Sequence, residues 1–180
     1  TKATLVLHAP TYTRYKKGNG TVSGSNNTNP KENVFVIGDF NDWIPSETYK
    51  LNRDRDGWDG VTDLDSDNDR GDYWWIELTG LIPNQEYVFQ YLIDGVLQIA
   101  DPYTNKVSDP DDNQIPSVVY PFLIPYRPQA EDRASVLQTN QVPYQWKAAT
   151  FTKPTENHLN IYELHFRDFT DEGTYLAAID

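Results

Sequence analysis

Four aspartates at alternate positions, Asp63, Asp65, Asp67 and Asp69, form the densest set of ligating oxygens in this chain. They lie in an acidic run from Arg53 to Asp72 that holds eight Asp against three Arg, a net of −5 in twenty residues. Like charges this close repel unless something neutralises them, and Ca2+ takes about six to eight oxygen ligands from flexible loops. The spacing matches the first four ligand positions of a helix-loop-helix calcium loop. The match then fails, because Asn68 stands where the turn glycine belongs and Trp74 where the bidentate glutamate belongs. The run is therefore open to two interpretations, a calcium site at these four aspartates or a solvated acidic insertion. His8 and His158 are isolated, with no partner at metal-ligand spacing.

Strands must position whatever chemistry the chain carries. KATLVLHA (2–9) has an apolar centre bounded by Pro10, and NVFVI (33–37) is β-branched and aromatic. YWWIEL (73–78) and EYVFQYLI (86–93) are the strongest strand signals, and Asp94-Gly95 favours a primed hairpin turn into residues 96–99. Trp74 and Trp75 are neighbours in one strand and face opposite ways, so one belongs to a core and the other to the surface. Short strands about 8 to 12 residues apart, without a helical period, predict an antiparallel β-sandwich. Residues 13–33 and 53–72 read as long loops, and six prolines over residues 100–128 read as an extended wrap over the surface. LNIYELHF (159–166) reads as a further strand and TYLAAID (174–180) as the opening of an amphipathic helix, which together start a β/α unit.

Composition narrows the partners. The formal charge is −12, from 15 basic and 27 acidic groups. Phosphate binding relies on Lys and Arg, so nucleic acid and anionic membrane are poor partners for this surface, and a neutral ligand or a cation suits it better. There is no Cys, which excludes disulfides and thiolate metal sites, and no apolar run approaches a membrane span. The chain has no Met and starts at Thr1, so a processed or excised piece of a longer protein is expected.

Three blocks in order, VFVIGDFNDW (34–43), YVFQYLIDG (87–95) and DPY (101–103), resemble the N-terminal β-sandwich of starch- and glycogen-acting enzymes, the early-set or carbohydrate-binding module of family 48. IYELHFRDFT (161–170) resembles the first barrel strand of glycoside hydrolase family 13, the α-amylase family. The resemblance implies an immunoglobulin-like sandwich over residues 1–130, a linker at 131–157, and the start of a catalytic (β/α)8 barrel at 158–180. It implies an accessory module of a secreted, extracytoplasmic α-glucan hydrolase, whose partners are the polysaccharide and its own catalytic barrel. Glycoside hydrolysis needs two carboxylates flanking the scissile bond. The family carries these on later barrel strands, so no catalytic residue is expected here, Glu163, His165 and Asp168 included.

Trp43 matches the position where binding members of the family stack an aromatic plane on glucose. Its alternative is plain packing, since Leu97 replaces the second stacking Trp and Gln90-Tyr91-Leu92 lacks the expected Lys. The glycan-contact candidates are accordingly Trp43, Trp74 or Trp75, and Asn113. Asp39 and Asn41 are expected to bond their own backbone in a turn, leaving Phe40 and Trp43 to pack at one sandwich edge. Two rival functions remain open, a stand-alone glycan-binding module and a calcium-dependent cell-surface interaction module. A lone strand cannot satisfy its backbone groups, so residues 158–180 are expected to join the sandwich edge or to dimerise with another copy.

Overall fold

A computed structural model of the chain describes residues 1–9, 15–17, 21–23, 31–54, 73–147 and 150–179. Strands dominate: β1 (Ala3–His8), β2 (Tyr15–Lys17), β3 (Thr21–Ser23), β4 (Val34–Gly38), β5 (Asn52–Asp54), β6 (Tyr73–Leu78), β7 (Glu86–Ile93), β8 (Leu97–Ile99), β9 (Val107–Ser108) and β10 (Ala134–Gln138). They form two antiparallel sheets, β1-β6-β5 and β4-β7-β10-β9 with β8 also on β7, beside a small β2-β3 hairpin. The chain divides into two units, Thr1–Asp112 with Ile124–Gln141, and Asn113–Leu123 with Val142–Asp180. Among the described residues, no helix is long and apolar enough to cross a membrane.

The strand period decides what is buried. In β6, Trp74, Ile76 and Leu78 point inward, opposite Leu7, Leu5 and Ala3 of β1. Val34, Val36, Phe89, Tyr91 and Ile93 of the other sheet complete the same core, so the two sheets share one apolar interior. β7 is also covered on its other face, where Val88 meets Ile124, Ala134 and Val136. That double burial explains why EYVFQYLI is nearly continuous in large residues. Where β4 crosses β7, a Cβ on Gly38 would lie 2.5 Å from the Val88 carbonyl oxygen and 2.7 Å from the Phe89 Cβ. Only glycine permits that approach. The hairpin after β7 has Asp94 at φ 51 and Gly95 at φ 68, the left-handed pair a primed turn requires.

Several elements differ from expectation. The 13–33 loop contains the β2-β3 hairpin, with Tyr15 opposite Ser23 and Lys17 opposite Thr21. The 100–128 wrap contains β9 and a 3-10 turn at Pro110–Gln114. β10 lies inside the expected linker, beyond the boundary at 130, yet it pairs with both β7 and β9. In the second unit no strand forms over 159–166 and no α-helix over 174–179; the helices there are a 3-10 turn at Glu156–His158 and α1 (Phe166–Phe169), one turn long. A strand needs a ladder partner, and residues 159–165 belong to neither sheet. So short a helix is marginal without packing. Residues 159–165 therefore stay without strand structure.

Candidate functional site

The turn that leaves β4 carries a dense polar network. Asn41 locks it locally: its Oδ1 accepts from the Gly38 N–H at 2.9 Å and its Nδ2 donates to the Val36 carbonyl at 3.0 Å. Asp39 does something else. Its Oδ2 accepts from the Val88 N–H at 3.0 Å across the sheet, and its Oδ1 accepts from the Trp43 indole N–H at 3.2 Å. Arg127 then grips both oxygens, Nε to Oδ1 at 2.8 Å and Nη2 to Oδ2 at 2.9 Å. The expectation that Asp39 bonds its own turn is corrected; the acceptor faces β7 and a residue 88 positions away. Burial alone would raise the Asp39 carboxyl, but the Arg127 hydrogen bonds, the Val88 amide and the Trp43 N–H outweigh it and hold it below its ordinary value.

Phe40 and Trp43 pack against different clusters. Phe40 stacks on Tyr49 with ring centroids 5.6 Å apart and joins the shared core. Trp43 is half-buried against the Val88–Val136 cluster on the other face of β7. Its backbone is left-handed, at φ 62 directly after Asp42 at φ 53. A bulky residue there costs on the order of 1–3 kcal/mol and persists only where its surroundings over-determine it. The Trp43 N–H bond to the Gly38 carbonyl at 3.0 Å and the indole bond to Asp39 supply that constraint.

The other glycan-contact candidates separate. Trp74 is the core member of its pair, 2% exposed, so it is withdrawn as a sugar platform. Among the described residues its indole N–H finds no hydrogen-bond partner, and the Arg53 guanidinium lies 5.3 Å from its ring centroid. Trp75 faces the opposite way and is half-exposed. Asn113 is exposed in the 3-10 turn that opens the second unit. Leu97 is buried in the core, and Gln90 is fully buried, its Nε2 donating to the Glu131 and Arg133 carbonyls at 2.6 and 2.8 Å. Both positions are structural in this chain. Asp63, Asp65, Asp67 and Asp69 lie outside the described residues; among the described ones, no group of three or more acidic or His side chains is placed to hold a metal.

The third sequence block is tied in by Asp101. Its Oδ2 accepts from the Tyr91 hydroxyl at 3.2 Å and its N–H donates to the Ser135 hydroxyl at 2.7 Å. Burial, reinforced by Asp101, pushes the Tyr91 phenol well above its ordinary range and keeps it a donor. In the second unit His165 Nδ1 meets Asp168 Oδ2 at 2.7 Å and Arg167 Nε donates to Asp168 Oδ1 at 3.0 Å. Those bonds, Arg167 first, hold the Asp168 carboxyl at about 2. All three side chains, like Glu163, are exposed and close in sequence, a surface turn rather than an enclosed acid–base pair. Sequence reasoning missed Arg127 and β10. Nothing local marks Arg127, whose partner is set by the fold.

Fold and site together define a mostly β module built on two antiparallel sheets, with a polar knot at the end of β4. Among known proteins, no family model matches the chain and no curated protein matches it.

Proposed function

We propose that residues 1–112 and 124–141 are an immunoglobulin-like accessory module of the family 48 type, belonging to a secreted α-glucan hydrolase of the α-amylase family. Its task is to pack on a catalytic barrel that begins with residues 158–180 and to shape one edge of the substrate cleft, with weak glycan contact at most. One observation carries this. The three sequence blocks that motivate it are bonded to one another: Asp39 of the first reaches Val88 of the second, and Asp101 of the third receives the Tyr91 hydroxyl of the second. Residues used this way hold a scaffold together. Trp43 supports a scaffold more than a platform, because its N–H and one face are already engaged.

Residues 1–180 purified and incubated with amylopectin are expected to release no reducing ends, and the coding sequence downstream is expected to supply the barrel's carboxylates. Release of reducing ends by this chain, or a downstream sequence without such strands, overturns the proposal. The half-exposure of Trp43 and Trp75 favours a second interpretation, a stand-alone glycan-binding module. Affinity electrophoresis on amylopectin separates the two: retention abolished by Trp43→Ala supports binding, and unretarded wild-type protein supports the scaffold.

A further inference from the structure

The segment from Asp101 to Lys106, between β8 and β9, is held firmly for a surface loop. Asp101 is anchored by Tyr91 and Ser135, and its Oδ1 accepts from the Tyr103 N–H at 2.8 Å. The Thr104 N–H bonds the Asp101 carbonyl at 3.1 Å, the Thr104 hydroxyl bonds the Lys106 carbonyl at 2.8 Å, and Pro102 fixes its own φ. Tyr103 therefore has a rigid backbone, while its side chain is left in solvent at 72% exposure. Rigid backbone with an uncovered aromatic ring is poor core design and good presentation of a flat surface.

Beside that ring lies an open groove of about 210 Å³, lined among others by Tyr103, Asn105, Gln138 and Gln141 and by the ion pair of Lys106 and Glu86. The ion pair closes at 2.6 Å with both side chains about three-quarters shielded, so the two charges cancel within the groove. The glutamines form a fixed chain: Gln141 Nε2 donates to Gln138 Oε1 at 2.8 Å, and Gln138 Nε2 donates to the Asn84 carbonyl at 2.6 Å. Each keeps a second N–H and spare oxygen lone pairs, and Asn105 is exposed beside them.

We propose that this groove is a saccharide-contact site, separate from the Trp43 turn. Tyr103 covers the C–H face of one pyranose ring, and the amides of Asn105, Gln138 and Gln141 bond its hydroxyls. An anion finds no unpaired cation there, and a cation finds Glu86 already matched. A hydroxyl both donates and accepts, which is what free amide edges complement. The groove is smaller than the roughly 300 Å³ at which ordinary ligand pockets begin, so it takes a single ring, with weak affinity that becomes useful along a polymer. The choice of an α-glucan as first ligand rests on the function proposed above; the chemistry of the groove does not.

The test is a ¹⁵N NMR titration of residues 1–180 with maltotriose and, separately, cellotriose, each to about 10 mM, the range where millimolar affinity is visible. Shifts concentrated at 101–106 and 138–141, weakened about tenfold or more by Tyr103→Ala, support the site. Tyr103 is so exposed that its truncation spares the fold, and Gln141→Ala gives an independent variant with the same expected direction. A response to cellotriose alone upholds the groove and counts against the α-glucan assignment. Shifts confined to the Trp43 or Trp75 regions, or indifferent to Tyr103→Ala, overturn the proposal. Silence with both sugars also overturns it while leaving the scaffold proposal, which needs no binding, intact.

Discussion

Replacing Asp39 with alanine strands donors on three residues at once, and they are not equal. The Val88 N–H is the costly one: Val88 is fully buried, and a buried donor without an acceptor costs about 1–3 kcal/mol. Arg127 loses a bidentate partner, but the two side chains are 30% and 17% exposed, so after screening that contribution is about 1 kcal/mol. The Trp43 N–H is half-exposed and turns to water at little cost. The expected loss is about 2–4 kcal/mol for Asp39→Ala and about 1 kcal/mol for Arg127→Ala. Urea unfolding followed by tryptophan emission measures both, and with a slope of about 1–3 kcal/mol per molar the Asp39→Ala midpoint falls by about 1 M or more. The double variant recovers a coupling of about 1 kcal/mol. The sign with pH follows from the depressed carboxyl. The stabilisation is complete above the unfolded-state value near 3.8 and drains as pH falls below it toward the lower folded value. A loss under about 0.5 kcal/mol, or strictly additive single variants, refutes the assignment of Asp39 as the tie between β4, β7 and Arg127.

Gly38→Ala places a methyl against the Val88 carbonyl and the Phe89 Cβ, backbone-bound atoms that cannot move aside; a loss of about 1–3 kcal/mol in thermal unfolding is expected. Trp74→Ala empties a core position and costs about 3–5 kcal/mol, whereas Trp75→Ala on the outward face costs well under half of that; equal losses contradict the assigned faces. If the acidic run 53–72 is a calcium site and not a solvated insertion, calorimetric titration with Ca2+ gives heat and a raised melting temperature that a chelator reverses, through Asp63, Asp65, Asp67 and Asp69. No heat and no shift retire the calcium interpretation.

Local pattern carried the framework of the first unit. The alternation in YWWIEL, the continuous run in EYVFQYLI and the Asp94-Gly95 turn each specify an element from a few adjacent residues, and β6, β7 and β8 follow. The site was legible only as far as its local bonds. Asn41 bonds its own turn, as short polar side chains do. The partners of Asp39 could not be read, because Val88 and Arg127 are brought to it by sheet pairing and by a loop that returns from far along the chain. Trp43 shows the same limit. Its type left a sugar platform and plain packing both open, while its left-handed backbone and its packing on the cluster around Val88 depend on contacts that no nearby residue announces.

The two largest misses oppose each other, and one cause explains both. ASVLQ (134–138) is weak by strand composition, yet β10 is an inner strand with ladder partners on both sides, opposite Phe89 and Val88 on β7 and Ser108 and Val107 on β9. Small Ala134 and Ser135 suit it because both are fully buried between neighbours. LNIYELHF (159–166) is richer in strand formers, and residues 159–165 pair with no strand among the described residues; Ile161 and Tyr162 are 90% and 80% exposed. Strand propensity reports how well a side chain fits a pleated neighbour, not a preference that survives without one. If the proposed barrel supplies those neighbours, amides 159–166 exchange at near-unprotected rates in residues 1–180 and become protected by orders of magnitude in a longer chain that includes the following barrel strands. Protection already present in residues 1–180 implies pairing with another copy, and a concentration-dependent sedimentation coefficient identifies it. Exchange that stays fast in the longer chain means that the segment is not a barrel strand, and the proposed parentage falls with it.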